Sequence, residues 1–343
     1  MRSNTAKKNA NVPKFIPQPF TIRQALTSCL EIRSVPKKPF LRALVDCTSD
    51  VSERQRLEEL CSRQGANTYT QHVRESALCI LDILSIFPSC LPTFALLAQF
   101  LPRLQARRYS VANSPLASPH KLRFVFTVVN LEKAHGRRFQ REGVCTGALR
   151  KMYDRMLESK RECAGNETLR IFPTKSNEFR LPDDPSTPLV MIGPGTGIAP
   201  FIGFLEHRES LNTSASVSLG ESWLFYGCRF RDRDYLYESQ LQSFHQNGVL
   251  NHLEVAFSRE QHQDGEIKYV QHLLKLQADV VAELLLNTSA IFYVCGDARN
   301  MAKDVRRCML DVLAHATGCS EESAAETFSD ICARKRYKED IWT

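Results

Sequence analysis

The chain has 343 residues, length for roughly two or three domains. It is 43% hydrophobic and 24% charged, an ordinary soluble balance, and its net charge of +7 suits anionic cofactors or an acidic protein partner. The basic residues are spread along the chain, which argues against a nucleic-acid stripe. The longest apolar region, 77–101, is broken by Asp82, Pro88, Pro92 and Gln99, which argues against a membrane span.

None of the 12 cysteines lies within four residues of another, so the C-x-x-C unit of zinc and thioredoxin-like sites is absent and no metal is expected. The first residues, MRSNTAKKNANVPKF, have no apolar core and do not form a signal peptide. Together these features predict a cytoplasmic protein with reduced, mostly buried thiols.

In chain order, residues 1–18 are polar and are expected to be disordered. From 19 to 101 the apolar spacing predicts a small helical domain. Leu57, Leu60 and Cys61 share one helix face, and Val73, Ala77, Ile80, Leu81 and Leu84 form another stripe. From 102 to 185 the pattern becomes β. Lys121 to Asn130 alternates Leu122, Phe124, Phe126 and Val128 against Arg123, Val125 and Thr127, as in a half-buried antiparallel strand, and Leu169 to Thr174 is a second candidate. This region is too short for a complete barrel. From 186 to 343 four short apolar runs (188–192, 222–227, 252–258 and 290–296) alternate with helical stretches near 198–209, 235–246, 269–286 and 299–316. That alternation predicts a doubly wound parallel sheet with helices on both faces, binding ligands at the carboxyl ends of its strands.

The glycine-rich segment Gly193-Pro-Gly-Thr-Gly-Ile-Ala-Pro200 follows the first of these runs. Glycines at a strand-to-helix turn let backbone N–H groups approach a diphosphate, although the same residues also suit a plain tight turn. At the end of the third run stand Ser258 and Arg259, where a site for unphosphorylated dinucleotide would want a carboxylate. A hydroxyl and a guanidinium there, with Tyr269 and Gln271 following, favour a 2′-phosphate as in NADP; a solvated loop is the ordinary alternative. Arg107-Arg108-Tyr109-Ser110 combines anion-binding arginines, a ring and a hydroxyl, which could serve a flavin or be ordinary surface. Gly143-Val144-Cys145-Thr146 precedes a helix and could hold a diphosphate. A nucleophile elbow on Cys145 is the rival, but the preceding HGRRFQRE is too polar for the strand it requires. Cys295, in Tyr293-Val-Cys-Gly-Asp297, reads in isolation as a buried core thiol, and Trp342 as part of a frayed tail.

Taken in order, R-x-Y-S, GV-x-T, GPGTG-x-AP, YGCR, SR…YVQ, CGD and a near-terminal tryptophan resemble the diflavin reductase family, within the wider ferredoxin–NADP reductase group. The resemblance covers roughly residues 104–343. Further segments, such as Phe87-PSC90, Leu181-PDDPS186 and Lys335-RYKEDIW342, are most similar to the branch serving cobalamin-dependent methionine synthase. It implies that 19–101 is a helical connecting domain, 102–185 part of an antiparallel FAD-binding barrel, and 186–343 an NADP-binding α/β domain.

The resemblance further implies site residues. Arg107, Arg108, Tyr109, Ser110, Gly143, Val144, Cys145 and Thr146 would bind FAD, with Trp342 stacked on the flavin ring. Gly195, Thr196, Ser258, Arg259, Tyr269, Val270, Gln271 and Asp304 would bind NADPH. Ser110, Cys295, Asp340 and Trp342 would surround the hydride path. Electrons would then leave through FMN to the partner, methionine synthase. The sequence departs from the family in having Ala148 where a tryptophan usually stands, and in showing neither an FMN-binding domain nor the first barrel strands; it reads as a fragment or an incomplete gene product. The alternatives are a redox-silent NADP-binding module and another diflavin reductase, such as a cytochrome P450 reductase.

Overall fold

The structure, a computed structural model, describes residues 13–133, 136–137, 140–159, 168–174, 178–215, 217–260 and 267–342. Most of the segment expected to be disordered, 1–12, lies outside them. The chain divides into two units: residues 1–108 with 128–167, and residues 109–127 with 168–343.

The first unit is built on short helices, among them Lys38–Val45, Val51–Cys61, Ile80–Ile86 and Phe94–Phe100. Asp50 caps the second, its side chain accepting from the Glu53 amide, and Thr93 caps the fourth through the Leu96 amide. Their inward residues, including Phe40, Leu44, Leu57, Ile83 and Phe87, make one core. The expected stripe from Val73 to Leu84 does not lie on one helix. A π-helical turn at Thr70–Glu75 ends in a turn with Ala77 at φ 49°, and a new helix starts at Ile80, which leaves Leu81 52% exposed. Apolar spacing across a turn imitates a continuous face.

The unit also holds a two-stranded antiparallel sheet of β1 (Asn130–Leu131) and β2 (Arg141–Glu142). Arg141 reaches from β2 to Asp82 at 2.9 Å, with both side chains nearly buried, and Asp82 also accepts from the Cys79 amide. The ion pair thus ties the strand before Gly143 to the helical core.

The second unit contains the parallel sheet expected from the sequence. Its strands are β3 (Leu189–Ile192), β4 (Ser222–Cys228), β5 (His252–Phe257), β6 (Ile291–Asp297) and β7 (Tyr337–Trp342), in the order β5-β4-β3-β6-β7. Central β3 is buried on both sides, which explains its uninterrupted apolar run. Val190 and Ile192 face a core shared with helices 270–276, 278–286, 301–317 and 321–333. Leu189 and Met191 face helices 199–215 and 238–246. The single helix expected over 269–286 is split at Gln277, and that expected from 235 starts at Glu238 because Tyr237 takes a left-handed conformation.

The long strand expected over Lys121–Asn130 is not formed. One bridge, Val111 to Phe124, is made, and only Asn130 enters a ladder. The Asn113 side chain accepts from the Arg123 amide at 2.6 Å and donates to the Lys121 carbonyl at 2.9 Å, taking groups that a neighbouring strand would otherwise use. Leu169–Thr174 is likewise not a strand, and Leu169, Ile171 and Phe172 are at least half exposed. Arg107–Ser110 belongs to no strand.

Two expected outcomes follow from this packing. Asp82→Ala leaves the Arg141 guanidinium buried without its counter-charge, and should lower unfolding stability by about 3 kcal/mol in urea melts; an unchanged midpoint would contradict the anchoring role. Burial also pushes the Cys228 thiol and the Tyr235 phenol up to about 12, and the Cys308 thiol up to about 11. These groups resist ionisation in the fold, so they cost no stability while they are also neutral in the unfolded chain. The melting temperature should be insensitive to them below roughly pH 8 and fall as pH rises from about 9 through 12.

Candidate functional site

A cleft of about 750 Å³ opens in the second unit at the carboxyl ends of the parallel strands. Its lining follows the strand order. Ser258 comes just after β5, Gly227, Cys228 and Arg229 at the end of β4, Pro194, Gly195 and Thr196 after β3, and Asp297 at the end of β6. Lys268, Tyr269, Val270 and Gln271 complete one wall, and Asn300, Met301 and Asp304 another.

The turn after β3 is shaped by close approach. A Cβ on Gly197 would sit 2.1 Å from the Cys295 carbonyl oxygen, so only glycine lets this backbone lie across the end of β6. Gly195 has φ 58°, and a Cβ there would meet nothing within 4 Å. A one-turn 3-10 helix, Gly195–Ile198, then leads into helix Ala199–Ala215. The turn therefore presents its backbone to the cleft at the start of a long helix, the arrangement that favours bound anions.

Opposite, the β4 and β5 ends are joined beyond the sheet. The Ser258 amide donates to the Cys228 carbonyl at 2.8 Å and the Arg259 amide to the Arg229 carbonyl at 2.9 Å. Val270 is buried, with its methyl 3.2 Å from where a Gly227 Cβ would be. Gln271 donates to the Asp304 carboxylate at 3.4 Å.

The cleft thus brings together Gly195, Thr196, Ser258, Tyr269, Val270, Gln271 and Asp304 among the residues singled out from the sequence. Arg259 is the exception: it is exposed and not part of the lining. The cations that do line the cleft are Arg229, Arg233 and Lys268. Successive residues of a strand alternate in direction, so the tight pairing of 229 with 259 was not legible in either loop read alone. The visible signal was the arginine of the YGCR segment.

At the other side of the sheet, Ser110 donates to Asp340 Oδ2 at 2.6 Å, and Asp340 is the register partner of Cys295. Cys295 is fully buried, and burial, reinforced by the Asp340 charge and opposed by the Ser110 hydrogen bond, pushes its thiol far up. It stays protonated at neutral pH. Trp342 is the last residue of β7, paired with Asp297 and 42% exposed. It is therefore a strand residue, not part of a frayed tail. Tyr109 packs on Phe124 and Phe126, with ring centroids 5.3 and 6.0 Å away.

The remaining residues expected at a flavin lie in the first unit. Val144, Cys145 and Thr146 form the first turn of helix Val144–Ser159, whose opening N–H groups have no partner within the helix. The Thr146 hydroxyl accepts from the Val129 amide at 3.2 Å, and a Gly143 Cβ would fall 2.5 Å from it. The two-residue antiparallel β2 precedes this turn, not the parallel strand that a nucleophile elbow on Cys145 needs. Arg107 is held by the Glu31 carboxylate at 2.7 Å, and Arg108 is exposed.

Residues 3–147 match the FAD binding domain family, and residues 191–307 the oxidoreductase NAD-binding domain family. Methionine synthase reductase of Bos taurus is 46% identical over 354 residues and that of Homo sapiens 44%; each match covers all of this chain and 51% of the relative. NADPH–cytochrome P450 reductase of Mus musculus is 38% identical over 347 residues, covering all of this chain and 49% of the relative. The chain spans about half the length of the curated relatives it matches. With both domain families in the expected order on one chain, the chain belongs to the diflavin reductase family, of which it carries the FAD-binding and nicotinamide-nucleotide-binding domains.

Proposed function

We propose that this chain takes reducing equivalents from NADPH into FAD, as the nucleotide-handling part of a reductase that serves methionine synthase. The observation that carries this reading is the single cleft containing both the glycine turn at 194–196 and Ser258 with Tyr269–Gln271. A dinucleotide placed along the strand ends meets cations at the β4–β5 side and Asp297, Asn300 and Met301 beyond the end of β6.

The residues fit the nucleotide. Arg229, Lys268, Ser258 and Tyr269 supply positive charge and hydroxyl donors for a 2′-phosphate, and among the described residues the one that lines the cleft just after β5 is Ser258, not a carboxylate that would favour a bare ribose. The amides of Gly195 and Thr196 receive the diphosphate. Asp304 and Gln271, already in contact, complete the pocket wall. The residues of the first unit also fit a diphosphate, at the opening turn of helix 144–159, where Gly143 admits the close approach of the Thr146 hydroxyl to the backbone.

When bound, the nicotinamide supplies a hydride that the flavin N5 accepts. Ser110 directs its hydroxyl proton to Asp340 Oδ2, and Cys295 keeps its thiol proton, so the second unit presents one charge and two fixed protons at the expected hydride path. Trp342, at the open end of β7, is placed to cover a ring and to withdraw from it, a gating role. We assign Tyr109 and Trp342 to the flavin ring, and Gly143–Thr146 with Arg107 and Arg108 to its diphosphate. FMN, outside this chain, would be the next carrier, and the cobalamin of methionine synthase the acceptor. The free state of the described cysteines accords with a cytoplasmic setting. Among the described residues no helix is long and apolar enough to cross a membrane.

One observation favours a second reading. Arg107 is engaged by Glu31, so a flavin diphosphate must compete with a carboxylate for it. A chain that loses this competition would be a redox-silent NADP-binding module. Ferricyanide reduction by NADPH, with and without added FAD, separates the two. Turnover that rises with FAD supports the reductase. A colourless chain without turnover that still binds 2′,5′-ADP supports the module.

A further inference from the structure

Glu206 is a buried carboxylate of helix 199–215 that does not line the cleft; the residue is 6% exposed. Its Oε2 accepts from the Ser114 amide at 3.1 Å. Its Oε1 accepts from the Gln240 side chain at 2.9 Å and pairs with the Arg123 guanidinium at 3.0 Å. A carboxylate is costly to bury without such partners, so the three donors and the acceptor fix one another.

Two of those donors, Ser114 and Arg123, lie on one folded-back segment, 109–124. Val111 bridges Phe124, and the Ala112 amide donates to the Arg123 carbonyl at 2.7 Å. The backbone of this segment lies directly on the helix: a Cβ on Gly203 would be 3.3 Å from the Asn113 nitrogen and oxygen. Gly203, Glu206 and His207 share one helix face, and His207 Nδ1 meets the Ser114 hydroxyl at 3.1 Å. The segment is thus fixed at two points, Ser110 on Asp340 of β7 and Ser114 on the helix. Tyr109 precedes the first point, and its ring rests on Phe124, the neighbour of Arg123. Both supports of Tyr109, the backbone running to Ser114 and the ring of Phe124, therefore lead to Glu206.

Resting on the assignment of Tyr109 to the flavin ring and of Ser110 to the hydride path, we propose that Glu206 is a positioning residue for hydride transfer: it holds the segment that carries both against the nucleotide-binding sheet. Glu206 touches neither ligand, so its loss costs orientation and leaves nucleotide affinity intact. It acts as a hydrogen-bond acceptor more than as a charge. Two of its three donors are neutral, and the Arg123 side chain is 41% exposed, so water can serve that guanidinium when the carboxylate is gone.

The test compares the whole chain, supplied with FAD, with Glu206→Ala and Glu206→Gln at a temperature where circular dichroism finds all three folded. Should Glu206→Ala not fold, Glu206→Asp, whose shorter side chain withdraws the acceptor from the Ser114 amide, takes its place. In stopped flow at saturating NADPH, Glu206→Ala should slow flavin reduction about tenfold or more, the scale of a misplacement of about 1 Å, with 2′,5′-ADP binding unchanged. Glu206→Gln keeps a carbonyl for the Ser114 amide, and Gln240 can turn its own amide to match, so its rate should stay close to that of the wild type. Ser110→Ala combined with Glu206→Ala should slow reduction by less than the product of the separate factors, because both release the same segment. Hydrogen exchange, which needs no flavin, should quicken at 110–114 in Glu206→Ala and stay unchanged in β3 and β4. An unchanged rate in Glu206→Ala, an equal loss in Glu206→Gln, weakened 2′,5′-ADP binding, fully multiplicative effects or unchanged exchange at 110–114 would each overturn the proposal. A wild-type chain whose FAD is not reduced by NADPH would instead overturn the functional reading on which it rests.

Discussion

The second unit depends on one close approach, that of the Gly197 backbone to the carbonyl of Cys295. A side chain at 197 would fall 2.1 Å from that oxygen, and one at 193 would fall 2.6 Å from the Gly197 oxygen. The turn is therefore folded flat across the ends of β3 and β6. From this follow the start of helix 199–215, the packing of Phe201, Ile202 and Leu205 on one face of the sheet, and the exposure of the 195–196 backbone to the cleft. The anion-binding character of the site and the burial of the sheet are two results of the same contact.

At the neighbouring strand pair, chemistry is concentrated without strong acids or bases. Cys295 is held neutral by burial and by the Asp340 charge, while Ser110 satisfies that carboxylate. In the first unit the balance differs. Arg107 has a carboxylate partner, and Arg141 is spent on Asp82, which fixes the strand leading to Gly143. A strand anchored by a buried ion pair gives rigidity to the turn that follows it, where we propose that a diphosphate is gripped.

Legibility followed burial and backbone chemistry. The four apolar runs of the sheet were readable because both faces of a central parallel strand are covered, and the glycine turn because close backbone approach admits no other residue. Seven of the eight residues assigned to the nucleotide from sequence line one cleft. The exception, Arg259, shows the limit: the choice between 229 and 259 depends on how two strand ends pair, which neither loop encodes alone. β7 was missed because an edge strand reading Tyr-Lys-Glu-Asp-Ile-Trp carries charge where apolar runs are sought, and helix Glu321–Ala333 was missed with it. The alternating run 121–130 misled in the opposite sense. Its pattern was right for a half-buried strand, but Asn113 takes its backbone groups and its rings instead form the cluster around Tyr109.

The most direct test of the account is hydrogen–deuterium exchange of the whole chain with and without NADP+. One ligand should slow exchange together at 194–197, 227–229 and 269–271, since the glycine turn and the loops after β4 and β5 face one cleft. Protection confined to one of these segments, or none at any of them at saturating nucleotide, would contradict the claim that they converge on a single phosphorylated dinucleotide.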